Sequence, residues 1–373
     1  MLSRRVFLAS AFAAALPNLS FAQLRCPVVQ DSFAPQANSN FNAWINRFAG
    51  RANRQGIRTE TLQTGLHGGG YLPDVVSRDR NQFQTRRTLQ DYIALATSDA
   101  RLARGRQMMG RHANTLNAVA QRFGADPYIV AAIWGVETKF GDRRGSVPVV
   151  SATATLAFDG RRGDFYESQL IAALTILQSG AVRPSEFKGS WAGAMGHTQF
   201  IPTSYRSFAV DFDQSGHADI WGDDPTDSLA STARYLSRNG WRSGLAWGGE
   251  QGVTSARGTV IRPQRGGPGF VTTANYRALL RYNNSASYAI SVGVLSDRLR
   301  GGGPLRGSFP RDRYGLDLAD RKSLQTALSR RYDLGDVDGV IGPKTQCAIV
   351  AFEQSAGLPP TGRPSLDLLR RLR

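Results

Sequence analysis

The sequence predicts a mainly α-helical protein with one large helical unit and a small second one at its C-terminal end. From about residue 41 to about residue 300, apolar residues recur at three- and four-residue spacing, and alternating segments typical of strands are few. The same spacing returns after about residue 315, for example at Leu324 and Leu328. Between the two units, residues 301–314 combine glycine, proline and charged residues, which predicts a linker.

The composition is that of a globular but strongly basic chain. Of 373 residues, 41% are hydrophobic and 20% are charged, which excludes a wholly disordered or collagen-like protein. Lys+Arg 46 against Asp+Glu 29 gives a net charge of +17, which favours an anionic partner such as nucleic acid, a membrane surface or an acidic polymer. The two cysteines, Cys26 and Cys347, exclude a disulfide-rich miniprotein and a multi-cysteine zinc module.

Residues 1–22 have the features of an export signal. Arg4 and Arg5 precede an apolar stretch that is shorter than the roughly 20 residues needed to span a bilayer and that ends in small residues. This pattern predicts a twin-arginine signal, with an ordinary secretory signal as the alternative. We therefore expect a periplasmic protein without a stable membrane anchor, which argues against nucleic acid as its partner. In that oxidising compartment Cys26 and Cys347 either pair or remain two buried thiols.

The start of the large helical unit is marked by a capping residue. Residues 23–40 are predicted to form an irregular lead-in. Ser39 is a residue type that favours a helix N-cap, and apolar residues follow it at helical spacing. We therefore expect the large unit to span residues 41–300 and the small one residues 315–373.

One acidic residue interrupts a strongly apolar helix. Asp126 and Pro127 are typical of a helix start and Gly141 of a helix end. Between them, Glu137 shares its face with four apolar residues, Val130, Ile133, Trp134 and Phe140. Burial and the negative end of the helix dipole both disfavour an ionised carboxylate here, so we expect a raised pKa. Such a group suits a general acid for glycosidic bond cleavage; the alternative is a structural glutamate paired with Lys139, Arg143 or Arg144.

Two further segments have the composition of a sugar-binding groove. Residues 189–202 alternate very small residues with polar and aromatic ones, which suits a backbone that approaches a ligand closely. In this segment Ser190 and Gln199 are candidate hydrogen-bonding contacts. Residues 282–285, Tyr-Asn-Asn-Ser, followed by Tyr288, offer rings and amides for sugar faces and hydroxyls.

Together these segments resemble the lytic murein transglycosylase B family over roughly residues 41–300. The likeness rests on Val-Glu-Thr around Glu137, on the Gly-Ser-Trp-Ala-Gly-Ala-Met-Gly run before Gln-Phe-Ile-Pro, and on the Tyr-Asn pair, in that order. The resemblance implies a lysozyme-like helical catalytic domain. It also implies cleavage of the β-1,4 bond between N-acetylmuramic acid (MurNAc) and N-acetylglucosamine (GlcNAc) without water, leaving a 1,6-anhydro-MurNAc end.

The same resemblance implies roles for individual residues. The family's single catalytic acid falls on Glu137. Its substrate contacts fall on Ser190, Gln199, Tyr282 and Asn283. Its paired groove arginines match Arg161 and Arg162, and its groove tyrosines fall on Tyr235 and Tyr92.

The implied mechanism needs one carboxylate, which acts first as an acid and then as a base. Glu137 protonates the leaving oxygen, the muramoyl N-acetyl group or simple electrostatics supports the positive charge, and Glu137 then takes the proton of the attacking C6 hydroxyl. A hydrolase would instead use a paired carboxylate or an ordered water. The nearest acids in sequence are Glu167, predicted to be structural, and Glu186. His197 is either a second proton carrier or a loop histidine bonded to backbone.

Residues 211–219 match the first half of an EF-hand calcium loop. Side-chain oxygens stand at positions 1, 3 and 5 and a carbonyl at position 7, supplied by Asp211, Asp213, Ser215 and His217. Position 12 is a glycine, and the resemblance implies a later carboxylate there, Asp227, with Asp224 as the alternative. We expect a structural Ca²⁺ and no organic cofactor; the other interpretation is a turn that closes its own hydrogen bonds.

Residues 315–373 resemble a small three-helix peptidoglycan-binding domain. The likeness rests on the turn Asp-Gly-x-x-Gly-Pro-x-Thr that begins at Asp338. The spacing of Asp336 and Asp338 favours turn capping over a second metal site. The implied partner is peptidoglycan, both glycan strands and peptide stems, to which such a module tethers the enzyme. We expect a monomer; the alternative function is a catalytically inactive, exported peptidoglycan-binding scaffold.

Overall fold

Helices dominate the chain in the computed structural model, which describes residues 32–67, 69–81 and 87–372. The helices in these ranges are α1 Ser39–Arg54, α2 Thr59–His67, α3 Pro73–Asn81, α4 Leu89–Ala96, α5 Asp99–Arg111, α6 Ala113–Phe123, α7 Pro127–Thr138, α8 Val149–Asp159, α9 Gly163–Gln178, α10 Pro202–Phe208, α11 Thr226–Arg238, α12 Ala274–Tyr282, α13 Ala286–Leu299, α14 Leu318–Ser329, α15 Pro343–Ser355 and α16 Leu366–Arg371. The strands are β1 Val147–Pro148, β2 Lys188–Gly189, β3 Gly248–Glu250, β4 Thr259–Ile261 and β5 Phe270–Thr272. The mainly helical fold class is confirmed. The predicted export signal and Cys26 lie outside the described residues.

Helix α1 begins where the sequence predicts, but its capping residue differs. The N-cap is Asn38, whose side-chain oxygen accepts a 3.0 Å hydrogen bond from the backbone N–H of Phe41. The prediction of Ser39 as the cap is wrong by one residue, because Asn38 already holds the extended backbone that a cap requires. The predicted apolar face is buried, with Phe48 fully enclosed.

Two adjoining hydrophobic cores build the large unit. The first surrounds α7, which packs against α5, α6, α11 and α13. The second lies between α1, α2, α8, α9 and α10. Residues 189–200, the glycine-rich segment, run between α9 and α10, and their apolar members Met195 and Phe200 are buried in the second core.

The strands are short and serve to fix loops. β1 and β2 are antiparallel and pair Val147 with Gly189, which anchors the start of the glycine-rich segment beside α8. β3, β5 and β4 form an antiparallel sheet in that order. Among the described residues, no helix is both long enough and apolar enough to cross a membrane.

The C-terminal module contains α14, α15 and α16 around its own small core, with Leu324, Leu328 and Ile349 fully buried. Residues 301–314 contain neither helix nor strand, but they are hydrogen-bonded to the large unit. The buried carboxylate of Glu250 accepts a 2.8 Å hydrogen bond from the backbone N–H of Arg306 and another from Gly307. Leu305 and Phe309 pack against the first core. The connecting segment is therefore fastened to the large unit.

Candidate active site

Helix α7 carries Glu137 in its last turn. Asp126 caps its start by accepting a 2.9 Å hydrogen bond from the backbone N–H of Tyr128, and Pro127 is its first residue, as the sequence predicts. The predicted stop at Gly141 is wrong by two to three residues, because the helix ends at Thr138 and the next three residues are all left-handed, with φ of 52°, 60° and 92°. In this turn the ring of Phe140 packs against Gly135, so closely that a Cβ atom at position 135 would collide with the ring.

The carboxyl group of Glu137 is partly buried, and among the described residues only the phenol of Tyr288 makes a hydrogen bond to it. Tyr288 Oη of α13 donates a 2.7 Å hydrogen bond to Glu137 Oε1. Burial raises the pKa of Glu137 from 4.5 to about 7, while the hydrogen bond from Tyr288 acts to lower it. Within the described residues, Glu137 makes no ion pair, since Lys139 pairs with Asp336 and Arg144 with Asp223. At neutral pH this carboxyl group is substantially protonated.

Three tyrosines form a continuous aromatic wall beside Glu137. Tyr288 stacks on Tyr282 with ring centroids 6.4 Å apart, and Tyr235 meets Tyr282 edge-on at 4.9 Å. Tyr282 Oη donates a 2.6 Å hydrogen bond to the backbone oxygen of Thr198, the residue before Gln199. Burial and the nearby carboxyl group of Glu137 raise the pKa of both Tyr282 and Tyr288, so both phenols stay neutral. The wall connects α7 to the glycine-rich segment.

The two polar candidates of the glycine-rich segment are held by hydrogen bonds to backbone groups. Ser190 Oγ accepts a 3.1 Å hydrogen bond from the N–H of Ala194. Gln199 has φ 54°, and its side-chain N–H₂ donates to the backbone oxygens of Arg144 at 3.1 Å and Gly196 at 3.0 Å. Its carbonyl Oε1 accepts no hydrogen bond from the described residues and is available to a ligand.

His197 holds α7, the glycine-rich segment and a following loop together. Its imidazole is 3% exposed, and Nδ1 accepts a 3.1 Å hydrogen bond from Trp134 Nε1. The ring proton therefore lies on Nε2, which donates to the backbone oxygen of Gly222 at 2.9 Å. Burial lowers the pKa of His197 to about 4. Of the two interpretations left open by the sequence, this geometry supports the histidine bonded to backbone and not the proton carrier.

Other predicted site residues lie apart from this cluster or on its edge. Arg161 and Arg162 both pair with the buried carboxylate of Asp79 on α3. Tyr92 lies on α4, and within the described residues its phenol makes no hydrogen bond. The side chain of Asn283 is exposed just after α12, next to Tyr282, and likewise makes no hydrogen bond to the described residues.

No second carboxylate contacts Glu137 in the described part of the chain. Glu167 pairs with Arg51 at 2.8 Å, as expected for a structural residue, and Glu186 pairs with Arg183. Glu167 and Glu186 are therefore each held in an ion pair of their own.

The predicted calcium loop brings three carboxylates together. Oxygens of Asp211, Asp213 and Asp227 lie within 4.8 Å of one another. Asp224 instead accepts a 2.9 Å hydrogen bond from the backbone N–H of Thr226, the first residue of α11. The exposed Ser215 donates its hydroxyl to the backbone oxygen of His217 at 3.2 Å. Of the two alternatives for the last carboxylate, the structure favours Asp227.

Tyr288 was predicted from the sequence only as a ring for sugar faces, and its hydrogen bond to Glu137 was not predicted. Ser285 caps α13 by accepting from the N–H of Tyr288, which places this ring in the first turn of the helix. That cap was a visible signal for the position of Tyr288. The packing of α13 along α7, which brings the phenol to Glu137, had no local signal.

A helical domain with a glutamic acid of raised pKa in the last turn of a buried helix, beside tyrosines and a glycine-rich segment, is typical of a lysozyme-like, glycan-cleaving protein. The chain belongs to the family of the transglycosylase SLT domain, whose family model matches residues 40–259 and 250–297. The model of a peptidoglycan-binding domain matches residues 317–372. The predicted family and the lysozyme-like fold are thereby confirmed, and the family consists of lytic transglycosylases, lyases that act on peptidoglycan.

Individual relatives agree with this assignment. Membrane-bound lytic murein transglycosylase B of Escherichia coli (strain K12) is 38% identical over 135 residues, which cover 36% of this chain and 37% of that protein. SltB3 from Pseudomonas aeruginosa, in complex with NAG-anhNAM-pentapeptide, is 38% identical, with a TM-score of 0.70 over 90% of this chain and 100% of that chain. Escherichia coli Slt35 in complex with calcium is 26% identical, with a TM-score of 0.60 over 77% of this chain and 98% of that chain.

Proposed function

We propose that this protein cleaves the β-1,4 bond between MurNAc and GlcNAc in peptidoglycan and forms 1,6-anhydro-MurNAc, with Glu137 as general acid and then base. The observation that carries the proposal is the partly buried Glu137, with a pKa of about 7 and no ion pair among the described residues. Such an acid holds a proton at neutral pH and can also accept one. The complex of the similar SltB3 with NAG-anhNAM-pentapeptide supports the product class.

The hydrogen bond from Tyr288 determines which oxygen does the chemistry. Because Tyr288 donates to Oε1, the proton of the neutral acid belongs on Oε2. Glu137 transfers this proton to the bridging oxygen as the bond from that oxygen to the MurNAc C1 breaks. The carboxylate then takes the proton of the MurNAc C6 hydroxyl while O6 forms the new bond to C1. The enzyme returns to its starting protonation state, and no water is consumed.

Glu137→Gln tests this proposal on purified sacculi. We expect the variant to release no anhydro-muropeptides while it still binds the sacculi, because glutamine keeps the shape but carries no acidic proton. Glu167→Gln is the matched control and should retain product release, since Glu167 pairs with Arg51. Mass spectrometry separates anhydro from reducing ends. Retained release by Glu137→Gln, or reducing ends from the wild type, would contradict the proposal.

Substrate contacts are proposed for residues around the same acid. We propose that Gln199 Oε1 and the exposed amide of Asn283 bind sugar hydroxyls and N-acetyl groups, together with Ser190 in the same segment as Gln199. Tyr235 and Tyr282 offer ring faces and edges to the sugars. Arg161, Arg162 and Tyr92 are proposed to contact more distant parts of the strand or its peptide stems, the two arginines while bound to Asp79.

The remaining proposals concern location, assembly and tethering. We propose a monomeric periplasmic enzyme, exported by the signal at residues 1–22. Its C-terminal module, residues 315–373, holds the enzyme on peptidoglycan, and residues 301–314 connect it to the catalytic domain, residues 41–300. Tethering raises the local concentration of glycan strands around Glu137.

We also propose that the loop from Asp211 to Asp227 holds a structural Ca²⁺. The donor set suits a hard cation, because it consists of carboxylate oxygens, and the loop backbone already has the required turn at Gly216. Asp227 is buried, and burial together with the charge of Asp213 raises its pKa, a cost that a bound cation would offset. Asp211, Asp213 and Asp227 would hold the ion with the hydroxyl of Ser215 and the carbonyl of His217. The calcium complex of the similar Slt35 supports this assignment.

A further inference from the structure

The C-terminal module contacts the end of the helix that carries Glu137. Lys139, the left-handed residue that follows α7, places its Nζ 2.9 Å from Oδ2 of Asp336. Asp336 belongs to the loop of residues 335–339, which leads into the signature turn that begins at Asp338. The pair is only partly exposed, 29% for the lysine side chain and 38% for the aspartate side chain. The loop of residues 335–339 therefore lies against the catalytic domain within two residues of the proposed catalytic acid.

A second cation at the same helix end also faces this turn. Arg101 on α5 donates a 2.8 Å hydrogen bond from Nη1 to the backbone oxygen of Gly135 in α7. Burial lowers the pKa of Arg101, and the negative charge of Asp336 is the largest influence that opposes it, followed by Asp338. Arg143 and Arg87 act in the same direction as burial. Asp336 is thus the principal counter-charge for two cations that hold the end of α7.

The placement of the turn is secured by contacts elsewhere between the two units. Arg321 on α14 is 5% exposed and donates to Oδ1 of Asp91 at 2.8 Å and to Oε1 of Gln90 at 2.9 Å, both on α4. The connecting segment is fastened at its other end by Glu250. These contacts hold the module on the catalytic domain, so the pair between Lys139 and Asp336 does not have to position it alone.

We propose that Asp336 is a positioning residue for the reaction: through its ion pair with Lys139, and as a counter-charge for Arg101, it fixes the end of α7 that carries Glu137. This inference rests on the proposed role of Glu137 as the acid. It adds a function to the C-terminal module, which becomes part of the catalytic unit as well as a tether.

Loss of the Asp336 charge has a predictable consequence for the acid. The groups that face Glu137 are Tyr288 from α13 and Tyr282 from α12, both neutral; near its helix end lie Lys139, Arg101 and the neutral imidazole of His197. Burial and the Tyr288 bond set the pKa of Glu137, so neutralising Asp336 leaves that pKa in place. It removes the ion pair that holds Lys139, the residue after α7, and the carboxyl group two residues earlier is then less well oriented, so kcat falls.

The test compares Asp336→Asn with wild type on soluble glycan fragments of peptidoglycan, on which tethering to sacculi does not contribute. We expect kcat to fall about two- to fivefold, the scale of a partly exposed ion pair. We also expect KM, sacculus binding and the pH profile of kcat to keep their wild-type values, because the orientation of Glu137 changes and its pKa does not. Asp336→Glu should restore kcat. The control is Asp367→Asn, which removes an equal charge from the same module, beside Arg371 on α16, and should behave as wild type.

Two results would overturn the inference. One is a kcat of Asp336→Asn that equals that of wild type. The other is a loss of sacculus binding with unchanged kcat, which would assign the turn to wall binding only. The role of Glu137 is judged separately, because Glu137→Gln would remain inactive in either case, whereas an active Glu137→Gln would remove the basis of both proposals.

Discussion

The phenol of Tyr288 donates a 2.7 Å hydrogen bond to Oε1 of Glu137 and so joins α13 to the end of α7. Two influences act on the carboxyl group in opposite directions. Burial raises its pKa to about 7, and the Tyr288 bond works against that increase because it favours the ionised form. Tyr288 therefore orients the acid and also limits how strongly it holds its proton.

Replacement of Tyr288 by phenylalanine should separate these two effects. Without the phenol, the pKa of Glu137 rises, so the alkaline limb of the pH profile of kcat/KM moves to higher pH. We expect kcat at the optimum to fall about tenfold, since a hydrogen bond to a carboxyl group contributes about 1.5 kcal/mol. Tyr276→Phe is the control, because Tyr276 is also buried on α12 but does not contact Glu137. An unshifted limb in Tyr288→Phe would show that the bond does not act on the acid.

Glu137→Gln should make the protein more stable at alkaline pH. The pKa of Glu137 is about 7 in the folded protein, whereas its ordinary value is 4.5. Between these values the folded state holds a proton that the unfolded state has lost, so stability falls as the pH rises from 4.5 to 7 and stays reduced above 7. The full difference corresponds to about 3 kcal/mol, and we expect about 1–2 kcal/mol because the side chain is partly exposed.

Denaturant unfolding at pH 5 and pH 8 measures this effect. The gain from Glu137→Gln should appear at pH 8 and be much smaller at pH 5, because it vanishes only below pH 4.5, where the native glutamate becomes neutral in both states. Glu167→Gln, which breaks the ion pair with Arg51, should show no such gain. Equal stability of Glu137→Gln and wild type at pH 8 would contradict a raised pKa.

Local patterns predicted the part of the site that lies within one helix or one loop. The cap at Asp126, the apolar face around Glu137 and the cluster of Asp211 with Asp213 all follow from short-range spacing, and the structure agrees with each. The early end of α7 escaped prediction because it depends on the fit of Phe140 against Gly135, which is a packing property and has no sequence period.

Long-range contacts could not be predicted in this way. The bond between Tyr288 and Glu137 joins residues 151 positions apart, and that between Lys139 and Asp336 joins residues 197 positions apart. Likewise, the pairing of Arg161 and Arg162 with Asp79 depends on how α3 packs on α8. Family resemblance located the candidate residues, but their partners became visible only in the folded chain.

His197 should contribute both stability and its pH dependence. Its pKa is lowered to about 4 from 6.5. As the pH falls from 6.5 to 4, His197 takes up a proton in the unfolded chain but stays neutral in the folded protein. The free energy of unfolding therefore declines by about 3 kcal/mol at most, and this contribution is constant below pH 4. His197→Phe removes this decline, and it also leaves Trp134 Nε1 without its partner, which costs about 1–3 kcal/mol at pH 7. The oxygen of Gly222 keeps its hydrogen bond from Arg144.

Thermal denaturation between pH 4 and pH 7.5 checks this prediction. The difference between wild type and His197→Phe should be largest at pH 7 and should narrow as the pH falls. His217→Asn is the control, since its side chain is exposed and the proposed site uses only its carbonyl. A difference that is constant over this range would contradict a neutral, buried imidazole.

Calcium should raise the melting temperature through Asp227. At a Ca²⁺ concentration one hundred times the dissociation constant, a single site adds about 2.7 kcal/mol to the free energy of unfolding. A chelator should remove this gain from the wild type while kcat changes less. Asp227→Asn should abolish the response, whereas Asp224→Asn should keep it, because Asp224 bonds to Thr226 instead of joining the cluster. Equal melting temperatures in calcium and in chelator would count against the site.

The hydrogen bonds between Glu250 and the connecting segment should determine how fast a protease cleaves that segment. Glu250→Ala removes the acceptor of the backbone N–H groups of Arg306 and Gly307, and each lost buried bond costs about 1–3 kcal/mol. Local opening then becomes more frequent, so we expect trypsin to cleave after Arg306 at least about tenfold faster than in wild type. Gln251→Ala, the neighbouring control, should be cut at the wild-type rate, because the Gln251 side chain bonds to Arg262 and not to the connecting segment. If Glu250→Ala and wild type are cut equally fast after Arg306, the segment is not held by this carboxylate, and the contacts of Arg321 with α4 must hold the module without it.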